Sequence, residues 1–320
     1  MTQLLLLFVF LFFGLGLSSF VLGRPRSDQL AKTLNRWVIR AALPAFVVLK
    51  IHALPEISFS SPEVLLPILQ PWIHFFVSLA IVTVLARWLR WSRMTWAALV
   101  LTIGLGNTSF VGFPLLRAIL GPESLGSAVL LDQLGSFLIF SAIAAPMARM
   151  ISPLEGDGSS ARKKSSIPRL LLRPLRFPPF IALLLALVTA KIEFPSALVS
   201  VLAAVSLTLA PAALVSVGLS LKWGALRRRE VRQPLAIGLV LKLLVLPAFY
   251  FLLYSKWAGI YPGFPPLVLQ TILLEGAMAS MINAGVIATE YGLEPELAQL
   301  MVGVSIPISL VTVPLWSMLV

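Results

Sequence analysis

The sequence predicts an all-α polytopic membrane protein with ten transmembrane helices, laid out as two inverted five-helix repeats. Three observations predict it: an apolar content far above that of a soluble chain, ten apolar runs of spanning length, and basic residues gathered on alternate loops. Of 320 residues, 58% are hydrophobic and 12% charged, against roughly 45–50% and about 25% in soluble domains. Mean hydropathy is +0.95. Lipid is the natural solvent for such a chain, because helices satisfy their own backbone hydrogen bonds there. Spans of about 20 residues fit the length ten times with short loops.

The spans are justified in order. The first covers 3–23. No Lys or Arg precedes Arg24, the reverse of the charge order in a cleavable signal peptide, so this run reads as a true span. The second, 37–55, carries Leu43-Pro44-Ala45, and the third covers 64–88. The fourth, 94–120, is crowded with glycine and ends at Gly121-Pro122, and the fifth, 124–151, follows with almost no loop. The sixth, 176–192, is short and flanked by proline, and the seventh, 195–222, carries Ala210-Pro211-Ala212. The eighth, ninth and tenth cover 233–255, 265–290 and 295–320. Trp72, Trp88, Trp91, Trp96, Trp223, Trp257 and Trp316 fall mostly near span ends, as interfacial anchors do.

Charge gives the orientation. Twenty of the 25 basic residues, among them Arg24, Arg26, Arg87, Arg90, Lys163, Lys164, Arg227 and Arg228, fall on the odd-numbered loops and their edges. Lys50, Arg117, Lys191 and Lys256 fall on the other side, and Lys242 lies inside a span. Basic loops face the cytoplasm, so both termini are expected on the non-cytoplasmic side. The net charge of +12 is thereby explained by topology, and no nucleic-acid partner is required.

The longest loop, near mid-chain, is basic and rich in Gly, Ser and Pro. It divides the chain into a first repeat at 1–151, a cytoplasmic linker at 152–175 and a second repeat at 176–320. An odd number of spans per half makes the halves insert in opposite orientations, the arithmetic of an inverted repeat. Internal similarity is architectural: prolines stand mid-span in the second and seventh spans, and the fourth and ninth each run directly into the next.

Broken helices mark the binding sites of such folds. The fourth span carries Gly104-Leu105-Gly106-Asn107-Thr108-Ser109-Phe110-Val111-Gly112-Phe113-Pro114. Proline removes a backbone donor, glycine loosens the chain, and the polar triplet can serve the freed groups or a ligand. The ninth carries Glu275-Gly276-Ala277-Met278-Ala279-Ser280-Met281-Ile282-Asn283, similar chemistry without proline. Close packing through small residues would give the same pattern. Asn107, Thr108, Ser109, Pro114, Ser280 and Asn283 are the candidate substrate-binding residues.

Ionisable groups inside spans are costly and usually functional. Asp132, Lys242 and Glu275 are the three here. A Lys242 paired with Asp132 or Glu275 would lower the cost of both charges. The pair is either a static lock on helix register or an ion-coupling site for H+ or Na+. No HExxH, GxSxG or P-loop is present and there is no cysteine, so neither an enzyme nor a cofactor or metal site is expected. His52 and His74 are read as loop or interface residues near outer ends.

With these residues in view, Gly106-Asn107-Thr108-Ser109-Phe110-Val111-Gly112-Phe113-Pro114-Leu115 resembles the Gly-Asn…Gly-x-Pro segment of the auxin efflux carrier family, which includes bacterial permeases. Ala210-Pro211-Ala212-Ala213-Leu214 with Gly218 and Leu221 is similar to the family's seventh span, and Lys242 followed by Pro247 to its eighth. Glu275-Gly276-Ala277-Met278 through Asn283 to Ala288, with Glu290-Tyr291-Gly292, resembles its ninth. The resemblance runs in order along the whole chain. The family often has proline soon after the acidic residue of the ninth span. Ala277-Met278-Ala279-Ser280 stands there instead, so a softer break is expected in that span.

The resemblance implies a fold like sodium/proton antiporters and bile-acid symporters, with the fourth and ninth spans crossing as broken helices. It implies a secondary transporter of small organic anions working by an elevator motion, with Asn107 and Asn283 at or near the crossing. A passive channel or uniporter and a non-transporting receptor on the same scaffold are the rival readings. Compact loops and the lack of a transit-like segment favour a bacterial inner membrane. The oligomeric state is left open, with a homodimer among the candidates.

Overall fold

The computed structural model describes residues 2–52, 61–153, 178–190, 192–220, 224 and 227–319. Most of the expected linker at 152–175 lies outside them. Helices make up almost all of the described residues, and the only β pairing among these is one isolated bridge.

The helices are α1 (Thr2–Gly16), α2 (Gly23–Trp37), α3 (Leu43–His52), α4 (Pro62–Trp88), α5 (Arg93–Gly104) and α6 (Phe113–Ile119). They continue with α7 (Pro122–Ile151), α8 (Pro178–Val188), α9 (Ser196–Leu207), α10 (Leu209–Ser220) and α11 (Glu230–Lys256). The last three are α12 (Pro266–Gly276), α13 (Ile282–Glu290) and α14 (Pro295–Ser317). Among the described residues four helices, α4, α7, α11 and α14, are long and apolar enough to cross a membrane on their own.

Local chemistry sets the helix ends. Ser61 precedes Pro62 at the start of α4, where proline's missing N–H costs nothing. Ser92 caps α5 by accepting from Thr95 N at 3.0 Å. Gly121, at φ +92°, makes the sharp entry to α7. Inside α4, Pro71 presses on α7 at Gly135, where an added Cβ would meet the proline ring at 2.5 Å.

The segment after the first span was expected as a loop, yet it is helical. In α2, Ser27 and Ala31 are buried four residues apart on one face, while Arg26 and Arg36 are exposed. That face docks on α10, where Ser216 Oγ donates to Ala31 O at 3.0 Å.

Packing sorts the helices into two groups. Helices α1, α2, α3, α8, α9 and α10 pack mainly on one another. Helices α4, α5, α7, α11, α12, α13 and α14 form the other group. In the first group α1 and α10 approach so closely that a Cβ on Gly14 would fall 2.3 Å from Val215 O. Phe12, Phe13, Phe20, Phe76, Val84 and Leu252 are exposed on the outside. Such an apolar exterior suits a lipid surround.

Candidate functional site

The run predicted as the fourth span breaks after Gly104, at the end of α5. Leu105 turns to extended backbone at φ −117°, ψ 120°, and Asn107 then caps a new helical start by accepting from Phe110 N at 3.2 Å. The run predicted as the ninth span breaks after Gly276, at the end of α12, and resumes at Ile282. The softer break expected there is not what forms. Even without proline, residues between α12 and α13 leave the helix completely, because an alternative set of backbone partners is at hand.

Those partners are the other break. Asn107 N donates to Ala279 O at 2.8 Å, and Met281 N to Leu105 O at 3.0 Å, around the antiparallel bridge between Gly106 and Ser280. Ser280 N donates to Ser305 Oγ of α14 at 3.0 Å. Backbone groups freed by two broken helices thus satisfy one another in the protein interior, as buried polar groups must. Asn107 and Ser280 sit at this crossing almost fully buried, with Asn107 Nδ2 and Ser280 Oγ lacking hydrogen-bond partners.

Three side chains converge on Asp132. Thr108 and Ser109 both donate to its Oδ1, Ser109 at 2.5 Å, and Gln133 Nε2 donates to Oδ2 at 2.5 Å. Thr108 and Ser109 lie in a wide π turn, Thr108–Gly112, and Asp132 and Gln133 in another, Leu131–Ser136. Lys242 lies in a third, Leu241–Val245. Such wide turns are frequent at functional sites.

Lys242 is fully buried. Its Nζ donates to Ile103 O at 2.9 Å and lies 3.1 Å from Nε2 of His74, which is itself 2.9 Å from Ile103 O. The tautomer decides these contacts: with the proton on Nε2, His74 donates to Ile103 O, and with it on Nδ1, Nε2 accepts from the ammonium while Nδ1–H has no partner. A direct pairing of Lys242 with Asp132 is not formed, since hydroxyls and an amide take the carboxylate. Glu275 does not hydrogen-bond to Lys242 either, because both of its carboxylate oxygens lack partners. Instead Glu275 and Lys242 line one cavity of about 10 Å³, together with Gln70, His74, Gly106 and Thr108. That volume is about the size of a single water. The Glu275 carboxylate also lies against Gly112, where an added Cβ would be 2.8 Å from Oε2.

His74 corrects the sequence reading. It is no loop residue near an outer end but a buried member of the cluster, in tilted ring contact with Tyr250 at 5.5 Å between centroids. Gln70, one helical turn earlier, faces the same cavity with Nε2 unpartnered. The available signal was their i, i+4 spacing within an apolar span. Two predicted residues fall outside the cluster. Pro114 is half-buried and lines a different cavity of about 280 Å³, with Phe46, Phe113, Arg117, Leu125 and Leu207. Asn283 is half-buried in the first turn of α13 and does not line the small cavity.

A model of a family described as "Membrane transport protein" matches residues 1–317. The chain is 28% identical over 295 residues to an uncharacterized transporter of Methanothermobacter thermautotrophicus, spanning 91% of this chain and 89% of the relative. It is 27% identical over 299 residues to an uncharacterized transporter of Methanocaldococcus jannaschii, spanning 90% and 89%.

Proposed function

The chain belongs to the membrane transport protein family that contains the auxin efflux carriers, and from that premise we propose that it is a secondary transporter of small organic anions. It is a multi-pass membrane protein of a transporter family. The observation that carries the finer reading is the crossing. Residues 108–119 and α13 both begin there, so two helix N-termini approach the unpartnered Asn107 Nδ2 and Ser280 Oγ. Helix N-termini favour anions. Two neutral donors and two helix dipoles suit a carboxylate that must bind and then leave.

The ten-span inverted repeat and the elevator motion are part of this proposal. Supporting them, the helices divide into two packing groups, and both broken spans pack chiefly with one of them. A rigid-body slide of that group past the other would carry the crossing across the bilayer. Asp132 and Glu275 are the proposed points at which a gradient couples to it. The proposed setting is a bacterial inner membrane, with both termini on the non-cytoplasmic side.

The test is flux of a labelled organic-acid panel in proteoliposomes under imposed pH and sodium gradients, comparing wild type with Asn107→Ala. Flux of one acid, reduced at least about tenfold in the variant, is the expected result, because a lost hydrogen bond to a charged group is worth about 1.5–3 kcal/mol. Equal flux in wild type and variant would remove Asn107 from the site. Absence of flux for every acid would overturn the substrate class.

A further inference from the structure

The two breaks expose carbonyl ends as well as N–H ends. α5 and α12 both terminate at the crossing, and the C-terminus of a helix carries partial negative charge. Such ends, with unwound carbonyls, are where cations are held in folds built from broken helices. Ile103 O belongs to the last turn of α5, and Glu275 O to the last turn of α12. Lys242 Nζ binds the first of these carbonyls, and the second, which accepts from Met278 N, lies on the same side of Gly106. An ideal Cβ at Gly106 would be 3.6 Å from Glu275 O and 3.7 Å from Lys242 Nζ, and Nζ itself is 2.9 Å from Ile103 O. His74 from α4 and the Glu275 carboxylate complete the surround. The remaining buried acid, Asp132 of α7, is taken by Thr108, Ser109 and Gln133.

We propose that the ammonium of Lys242 is a resident cation of the crossing, covalently tethered in the position that an exchangeable sodium ion would otherwise fill. The cavity of about 10 Å³ beside it leaves room for about one water. Wild-type protein therefore takes up no sodium at this place. Removing the side chain vacates a pocket lined by carbonyl oxygen, imidazole nitrogen and a carboxylate, which is a donor set for a monovalent cation. This deepens the transporter reading by assigning the charge balance of its site.

The test needs no transport and so separates this idea from that reading. Full-length protein in detergent is unfolded thermally in sodium chloride and in choline chloride at equal ionic strength. Wild type and Lys242→Arg are expected to melt at the same temperature in both salts. Lys242→Ala is expected to gain about 5 °C, saturably, in sodium, as ligand linkage predicts for a newly filled site. If Lys242→Ala cannot be recovered in choline, recovery in sodium is the expected counterpart. A sodium-specific gain in Lys242→Ala no larger than that of wild type would overturn the proposal. So would a folded Lys242→Ala indifferent to sodium, or a variant recovered in neither salt.

Discussion

Replacing Asp132 in two ways separates its hydrogen-bonding role from its charge. The carboxylate receives three donors, from Thr108, Ser109 and Gln133. In Asp132→Asn, the amide oxygen can keep both hydroxyl donors, leaving Nδ2 toward the amide of Gln133. Two NH2 groups would then meet, but Gln133 Oε1 lacks a partner, so rotating that amide by half a turn restores a donor–acceptor pair. Three charge-assisted bonds become neutral ones, a loss of about 1 kcal/mol each. The desolvation cost of a buried charge, several kcal/mol, disappears with them. The two terms nearly cancel, so Asp132→Asn is expected to melt within a few degrees of wild type. Asp132→Ala leaves three buried donors without an acceptor, at about 1–3 kcal/mol each, and opens a void. The charge's desolvation cost disappears here as well, so the comparison is with the amide: Asp132→Ala is expected to lie below Asp132→Asn by about 3 kcal/mol. Thermal unfolding of the two purified variants in detergent is the assay. If Asp132→Ala matches Asp132→Asn in stability, the three contacts do not act as described. If Asp132→Asn falls as far as Asp132→Ala, the charge itself holds the cluster, and the compensation argument fails.

Two further substitutions probe the neighbours of this cluster. Gly112→Ala pushes a methyl to within 2.8 Å of the Glu275 carboxylate, so it is expected to cost about 1–3 kcal/mol and to slow flux; Gly16→Ala, with open space around the added Cβ, is the control and should leave melting unchanged or slightly raised. Ser305→Ala removes the acceptor for Ser280 N, and the orphaned amide at the crossing should lower stability by about 1–3 kcal/mol, read by the same melting assay; an unchanged midpoint would show that this contact is dispensable.

The four long apolar helices α4, α7, α11 and α14 were legible because hydropathy is a local, additive signal. That the helix breaks within 104–114 was legible too, since three glycines, a proline and a polar triplet inside an apolar run leave few helical alternatives, but its place after Gly104 was not. The break after Gly276 was read as soft because its cause is not local. Ala277, Met278 and Ala279 are compatible with helix, and the chain leaves it after Ala277 because Asn107 N and Leu105 O offer Ala279 O and Met281 N backbone partners from far along the chain. His74 was misread for a related reason. Its place depends on Lys242 and Ile103, and neither lies near it in sequence. Asp132 was found through its charge, but its partners Thr108 and Ser109 were predicted only as ligand groups. Their hydroxyls could not be assigned to it until the π turns were placed.

The pairing of Gly106 with Ser280 rests on main-chain atoms, which every residue except proline can supply in full. Side-chain identity at Ala279 and Ser280 is therefore largely decoupled from the pairing itself, whereas Asn107 caps the helical restart and Thr108 and Ser109 are tied to Asp132. A lineage can rewrite Ser280, whose hydroxyl has no partner, and with it the chemistry presented to a cargo, while the main-chain pairing of the crossing persists. The same decoupling gives protein engineers a short set of positions at which to retune selectivity without redesigning the scaffold.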